Sequence, residues 1–143
     1  MTDLKVTVRE NSSVTGEDGD VTSITALCPG CLRENADGLL LTYTDTTEGG
    51  KVYSRVEIKG ERVSVRRTGA VSLSLTFEVG RTERTLYEVP PFSFDMTVVT
   101  NAVRVRREGD GGLRIGLDFR STVGGAEQTT HLVIRATPKE DRL

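Results

Sequence analysis

Arg67 is the residue whose position in the sequence most suggests chemistry. It follows Val63 and Val65 at steps of two, so its side chain shares a strand face with the two valines, while Arg66 faces the other way. A guanidinium on an apolar, inward face has to be paired or hydrated, because burying a bare charge is costly. Its fork of N–H donors suits a carboxylate or a phosphate, and Arg67 is therefore a candidate anchor for an anionic ligand.

A structural role for Arg67 is the alternative. Asp45 is in phase with Leu41 and Tyr43, so it would face the same interior and could form an ion pair with Arg67. A β-bulge at Thr68-Gly69 could also shift the phase of the strand locally. The sequence leaves the ligand anchor and the structural pair both open.

Several further side chains are candidates to line a ligand cavity around Arg67 and Asp45. A barrel of about eight strands is either filled by its own side chains or holds one small ligand. The candidate residues combine large apolar surface with hydroxyl groups, and they are Tyr43, Tyr87, Thr100, Phe92 and Phe94. Large apolar residues more often form a packed core, so a filled interior is the alternative.

The two cysteines lie in a Cys28-Pro29-Gly30-Cys31 motif. A redox pair of this spacing normally lies at the N-terminus of a helix, which lowers the thiol pKa, and no helix is predicted here. A structural zinc site needs four ligands, and His131 is the only other soft candidate. We interpret the motif as a turn between two strands with both thiols reduced, and a zinc ion shared across a dimer stays open.

No catalytic residue, metal site or cofactor is predicted. A nucleophilic triad would have to use His131, the single histidine, which is out of phase with Leu132 and Ile134 and is expected to face solvent. The paired glycines lie between strands and not between a strand and a helix, so they predict hairpin turns and not phosphate loops. The chain is therefore not expected to be an enzyme.

Composition argues against nucleic-acid and membrane partners. The 143 residues carry a formal net charge of −2, from 19 basic and 21 acidic residues that are well mixed along the chain. Such a balance gives no long-range field to attract nucleic acid or an anionic membrane, and we interpret Arg104, Arg106 and Arg107 as a solvated strand face. No signal peptide and no run of about 18 apolar residues is found, so we expect a cytoplasmic protein.

The positions of these residues depend on a predicted β-barrel. Apolar and polar residues alternate along most of the chain, and turn signals such as Asp37-Gly38 and Gly124-Gly125 interrupt the alternation. We predict one all-β domain over residues 1–143, with a polar loop at residues 11–20 and a loose tail from about residue 138. Short sequential connections favour an antiparallel up-and-down β-barrel of about eight to ten strands. The residues expected to face its interior are Leu39, Leu41, Tyr43, Val52, Val56, Ile58, Val63, Val65, Leu73, Leu75, Phe77, Phe92, Phe94, Met96, Leu113, Ile115, Leu117 and Phe119.

The middle of the chain carries an ordered set of short motifs. They are Leu41-Thr42-Tyr43, Gly50-Lys51-Val52, Arg67-Thr68-Gly69-Ala70-Val71, Phe77-Glu78-Val79-Gly80, Tyr87 and Thr100. In order and spacing this set resembles the YwiB-like family of small, uncharacterised bacterial proteins, over about residues 6 to 134. The resemblance implies a lipocalin-like (calycin-type) β-barrel and supplies no function. The Gly-x-Trp signature of true lipocalins is excluded, because the chain has no tryptophan.

Two functions of different classes follow from these features. The first is a non-enzymatic barrel that binds a small, partly apolar and anionic molecule, with Arg67 as its polar contact. The second is an interaction module with a filled barrel that docks a protein partner or a second copy of itself as a homodimer. A cavity lined by Arg67 and Tyr43 would favour the first function, and a packed interior would favour the second.

Overall fold

The computed structural model describes residues 2–139, and these residues form ten antiparallel strands. The strands cover most of the chain, with short turns between them, as the alternation of apolar and polar residues predicted. No helix among the described residues is long and apolar enough to cross a membrane. The strands are β1 (Thr2–Gly16), β2 (Val21–Asn35), β3 (Gly38–Thr47), β4 (Gly50–Lys59), β5 (Arg62–Gly69), β6 (Leu73–Phe77), β7 (Thr82–Val89), β8 (Phe92–Arg107), β9 (Leu113–Val123) and β10 (Ala126–Pro138).

The strands follow one another around a nearly closed barrel, so the predicted up-and-down topology is confirmed. The order of the sheet is β6-β5-β4-β3-β2-β1-β10-β9-β8-β7, and β1 pairs with β10 along a continuous ladder. The remaining seam lies between β6 and β7. Within residues 2–139 it is bridged by a pair of 2.9 Å backbone hydrogen bonds between Ser72 and Glu88.

Side chains complete the seam where backbone pairing stops. The hydroxyl of Thr85 on β7 donates a 2.9 Å hydrogen bond to the Ser74 carbonyl on β6. The carboxylate of Glu83 accepts one of 2.7 Å from the backbone N–H of Thr76. These bonds satisfy edge groups that would otherwise be open to another strand.

Because successive strands run in opposite directions, alternate turns lie at opposite ends of the barrel. We call one end the cavity end, and it carries the turns at residues 17–20, 48–49, 70–72, 90–91 and 124–125. We call the other the filled end, and it carries the connections at residues 36–37, 60–61, 78–81 and 108–112. Both names refer to the barrel interior described below.

The filled end contains the hydrophobic core. The inward residues predicted from the alternation are buried or half-buried, apart from Phe92 and Phe94, which are exposed.

On β8 the side chains that face the interior change from even to odd residue numbers, because a bulge between Thr100 and Ala102 inserts one extra residue. Ladder pairing of β5 with β4 continues without a shift through Gly69, so the predicted phase of Arg67 holds.

Two predicted connections are strands. The predicted polar loop at residues 11–20 is wrong, because β1 continues to Gly16 and only residues 17–20 form the turn. The predicted turn at Cys28-Pro29-Gly30-Cys31 is also wrong, because the motif lies within β2. Pairing of β2 with β3 begins only at Gly30, so Pro29 lies beside an unpaired edge, where proline is tolerated.

Gly30 is the position that brings β2 close to β3. A Cβ atom on Gly30 would lie 2.6 Å from the Thr42 carbonyl oxygen and 3.1 Å from the Cβ of Tyr43. Beyond this contact β2 and β3 separate, since no ladder joins residues 21–29 to residues 44–47. The prediction of a loose tail from about residue 138 is wrong for its first two residues, because Pro138 belongs to β10 and the backbone N–H of Lys139 donates a 2.9 Å hydrogen bond to the Lys5 carbonyl. The rest of the predicted tail, residues 140–143, lies outside the described residues.

Candidate functional site

The barrel interior at the cavity end is not filled by side chains. A cavity of about 490 Å³ lies there. Its apolar wall includes Val52, Val65, Val71, Leu73, Leu75, Phe77, Met96, Phe119, Val123 and Leu132. Its polar wall includes Glu10, Ser12, Asp45, Thr47, Arg67, Tyr87, Ser121, Gln128 and Thr130.

Arg67 lines this cavity and forms an ion pair across the barrel interior. Its Nη2 atom lies 2.8 Å from Oε1 of Glu10. The two residues are 57 positions apart in sequence and belong to β5 and β1, between which β2, β3 and β4 are placed. The side chains are 24% and 14% exposed, so the pair is shielded from much of the solvent. Glu10, and not the predicted Asp45, is the partner of Arg67.

The environment of Arg67 keeps it charged. Burial by itself would lower the pKa of the guanidinium, but the charge of Glu10 and its hydrogen bond outweigh this effect and raise the pKa. A partly buried guanidinium with a directly bonded carboxylate is a stable arrangement in the interior, because each charge compensates the other. Arg67 therefore already has an anionic partner, Glu10, when no ligand is bound.

Tyr43 lies beneath the cavity, next to this pair. It is 3% exposed, and its ladder neighbour on β4 is Ser54, which is buried as well. The Tyr43 hydroxyl has no hydrogen-bond partner among the described residues. Burial raises the pKa of Tyr43, and the nearby charge of Glu10 adds to the increase, so the phenol is neutral. An unsatisfied buried hydroxyl is costly, but Tyr43 is not among the residues that line the cavity, so a molecule there does not contact this hydroxyl directly.

Cys28 and Asp45 face each other where β2 and β3 separate. Cys28 is 2% exposed, and burial together with the charges of Asp45 and Glu10 raises the pKa of its thiol to about 11. Asp45 lines the cavity and makes no ion pair within residues 2–139. Cys31 lies three residues on in the same strand, so it faces the outside of the barrel, and the two thiols cannot bind one ion together.

The remaining predicted site residues do not all reach the cavity. Tyr87 lines it. Phe92 and Phe94 are 63% and 40% exposed, so the prediction that they are buried is wrong. They have the inward phase, but β9 pairs with β8 only from Met96 onward, and the β7–β8 hairpin therefore extends beyond the barrel wall. Thr100 is buried elsewhere, beside Gly80 and Arg81, to which its backbone is hydrogen-bonded.

Glu10 is the functional candidate that the sequence reasoning missed. The signal was present, because Glu10 follows Val6 and Val8 at steps of two and so shares their inward face. The predicted loop begins at residue 11, so Glu10 stood at the end of the predicted strand and was not counted among the residues that face the interior. The continuation of β1 to Gly16 is what brings Glu10, and with it Ser12, to the cavity.

The outer face of the barrel carries two other polar features. A concavity of about 540 Å³ lies outside β2 to β5, where Tyr53 is 50% exposed and Arg55 pairs with Glu57. On the outside of β9 and β10, His131 is exposed, as predicted, and bonds Asp118 through Nδ1. Both features are open to solvent, whereas the interior cavity is surrounded by the strands of the barrel.

Comparison with known proteins agrees with the fold. The sequence model of a family described as a domain of unknown function, DUF1934, matches residues 6–134. The chain belongs to this family. The crystal structure of the ywiB protein from Bacillus subtilis is similar to this DUF1934 barrel, with a TM-score of 0.85 and 20% sequence identity over 96% of this chain and 94% of that chain. The resemblance to the YwiB-like family is thus confirmed. No curated protein matches the chain.

Neither comparison gives the DUF1934 barrel an activity. The family description states that its function is unknown, and a structural likeness at 20% identity shows the fold alone.

Proposed function

We propose that this DUF1934 barrel binds a small, partly apolar molecule in the cavity at its cavity end. The observation that carries the proposal is the cavity of about 490 Å³, which has the size of small-molecule sites, about 300–1,000 Å³. Such sites combine apolar walls with a few fixed polar groups. Here the walls are aliphatic and aromatic, and the Arg67–Glu10 pair provides the fixed polar group.

The rim of the cavity end supports the same proposal. Phe92 and Phe94 extend beyond the wall on the β7–β8 hairpin, and their rings stack with centroids 6.4 Å apart. Ile24 on β2 lines the cavity and is 57% exposed. Exposed apolar side chains at the mouth of an interior cavity suit the passage of an apolar molecule, whereas a closed core would cover them.

The sequence-based hypothesis was an anionic ligand at Arg67, and the geometry around Arg67 disfavours this charge. An anion at Arg67 would have to displace Glu10 or leave that carboxylate without its partner. Asp45 in the same wall would repel the anion as well. The Glu10 contact therefore disfavours the anionic ligand and leaves the binding of an apolar molecule untouched.

The proposal can be tested by filling the cavity. Ser12 lines it, whereas Ser13 is the next residue on β1 and faces outward, so the two serines make a matched pair. The fluorescent probe N-phenyl-1-naphthylamine, which is neutral and apolar, should bind the wild type at a single saturable site. Ser12→Phe should lose this binding, and Ser13→Phe should keep it, with melting temperatures checked for both variants. Equal binding by the two variants would overturn the proposal.

Self-association is a second candidate function, and one observation favours it. Residues 21–29 of β2 have no partner on the β3 side, and Val21 and Leu27 in this segment are 61% and 62% exposed. An unpaired, apolar strand edge can pair with a second copy of the same chain. Light scattering of the eluted protein should then show a dimer that Leu27→Lys converts to a monomer. Leu86→Lys, at a leucine 46% exposed on β7, is the control, and a monomeric wild type rejects this function.

A further inference from the structure

The charges that line the cavity do not balance. Among the described residues the charged groups of its wall are Glu10, Asp45 and Arg67, which are two carboxylates and one guanidinium. The guanidinium is bonded to Glu10 at 2.8 Å. Asp45 is left without a cationic partner in residues 2–139, and its neighbour is the thiol of Cys28, which is protonated at neutral pH because its pKa is about 11.

Asp45 is half-buried, so its carboxylate has less contact with water than one on the open surface. A carboxylate in such a position is stabilised by an opposite charge or by hydrogen-bond donors. β2 and β3 separate from Cys28 and Asp45 toward the cavity end, and no backbone ladder closes this gap. The carboxylate thus lines the cavity without a cationic partner among the described residues, and the Cys28 thiol beside it can donate only a weak hydrogen bond.

One further group of the cavity wall suits a cation near Asp45. The ring of Tyr87 lines the cavity, and the face of an aromatic ring attracts a cation. On the other side of the cavity the wall is apolar, with Leu73, Leu75 and Phe119.

We propose that the ligand of this cavity is an amphiphilic amine, whose ammonium group pairs with Asp45 and whose apolar body packs against β6 and β9. The inference rests on the proposed function, because it assigns a chemical class to the molecule in the same cavity. One positive charge neutralises the wall, whereas an anion would add to an existing excess of negative charge. Burial of the hydrocarbon provides affinity, and the ion pair provides selectivity for the amine.

Three probes that share an eight-carbon chain separate the two proposals. They are n-octylamine, 1-octanol and octanoate, and their dissociation constants are measured by isothermal titration calorimetry at neutral pH. We expect octylamine to bind about tenfold more tightly than octanol, as a charge-assisted hydrogen bond predicts, and octanoate to bind more weakly than octanol. Asp45→Asn should remove the preference for the amine and leave the binding of octanol unchanged. Asp118→Asn, on the outer face, is the matched control and should keep the preference.

The outcomes distinguish the amine from the cavity. If none of the three probes binds, the proposed function fails and the amine fails with it. If octanol binds but octylamine is no tighter, or if octanoate is the tightest, the amine is rejected while the cavity function stands. An unchanged amine preference in a folded Asp45→Asn variant also rejects it. Should Asp45→Asn not fold, the ranking of the three probes with the wild type decides.

Discussion

The two ends of the barrel are built from the same ten strands, but their interiors differ. At the filled end the inward positions hold large aliphatic residues such as Leu41, Ile115 and Leu117, each with no exposed surface. At the cavity end the same strands place Ser12, Asp45, Ser121 and other polar residues inward, around an open cavity. The core that stabilises the fold is therefore concentrated at the filled end, and the interior of the other end contains the cavity.

The difference follows from the width of the barrel. About eight strands give an interior that side chains can just fill, and ten strands give a wider one. Large aliphatic side chains fill this width at the filled end, whereas the wall at the cavity end also includes small residues such as serine, threonine and aspartate, which leave part of the width open. If this contrast is correct, removing side-chain volume should be costly at one end and tolerated at the other.

The largest effect is expected from shortening a leucine at the filled end. Leu41→Ala removes a side chain with no exposed surface and leaves a new void, which should lower the free energy of unfolding by about 3 kcal/mol. Leu73→Ala is the matched control at the cavity end, where the leucine is half-buried and already borders a cavity, and it should cost less than about 1.5 kcal/mol. Urea unfolding measures both values. Equal losses would mean that the two ends are packed alike.

The next effect concerns Cys28, which lies where the two ends meet. Because its pKa is about 11 in the fold against an ordinary 9.0, its thiolate should be about a hundredfold less populated in the folded protein than in the unfolded chain at pH 8. In the Cys31→Ser variant, Ellman's reagent should therefore react at least that much more slowly with folded protein than with protein in urea. A fast reaction in the fold would show that Cys28 is open to solvent.

The raised pKa of Cys28 also predicts how the free energy of unfolding changes with pH. The folded state holds the Cys28 proton more tightly than the unfolded state, so this group stabilises the fold fully below about pH 9. The contribution is lost as the pH rises from about 9 to about 11. Cys28→Ser should lose less stability than the wild type over this interval, measured by urea unfolding at each pH.

The ion pair across the interior should have the third largest effect. Glu10→Gln leaves Arg67 without its counter-charge, and because the pair is only partly buried we expect a loss of about 2 kcal/mol, below the range for fully buried pairs. Adding Arg67→Met should recover part of this loss, since the double variant leaves no unpaired charge. Urea unfolding of the four proteins in a double-mutant cycle measures the coupling. Strictly additive losses would show that the pair does not couple β1 to β5.

The sequence was sufficient for the fold because the decisive signals were local. The alternation that places Leu113, Ile115 and Leu117 inward needs no knowledge of neighbouring strands. Glycine turns mark the ends of the strands in the same local way. The bulge on β8 was not predicted, although it leaves a local signal, because the apolar residues lie at even numbers up to Val98 and at odd numbers from Val103.

The site was less predictable because it depends on which strands face each other across the interior. Arg67 could be placed inward by counting, but its partner Glu10 is 57 residues away, and the tilt of the strands decides which residues meet. The exposure of Phe92 depends on where the neighbouring β9 ends. Pro29-Gly30 predicts a turn locally, but β2 continues because it pairs with β1 through this motif, and its separation from β3 leaves Pro29 without a ladder partner on that side.

The smallest effect is expected on the outer face, where Asp118 bonds His131 and lies 2.8 Å from Nη1 of Arg104. The hydrogen bond from His131 and, after it, that from Arg104 lower the pKa of Asp118. Because its pKa is lowered in the fold, Asp118 stabilises the folded state at pH values above its ordinary pKa of 3.8. This contribution is lost as the pH falls through the pKa of the folded state. Because the partner side chains are more than half exposed, Asp118→Asn should cost less than about 1 kcal/mol at pH 7 and almost nothing at pH 2, by urea unfolding. A loss as large as that of Glu10→Gln would mean that charge pairing matters equally inside and outside the barrel, and the contrast between a shielded interior pair and a solvated outer one would then fail.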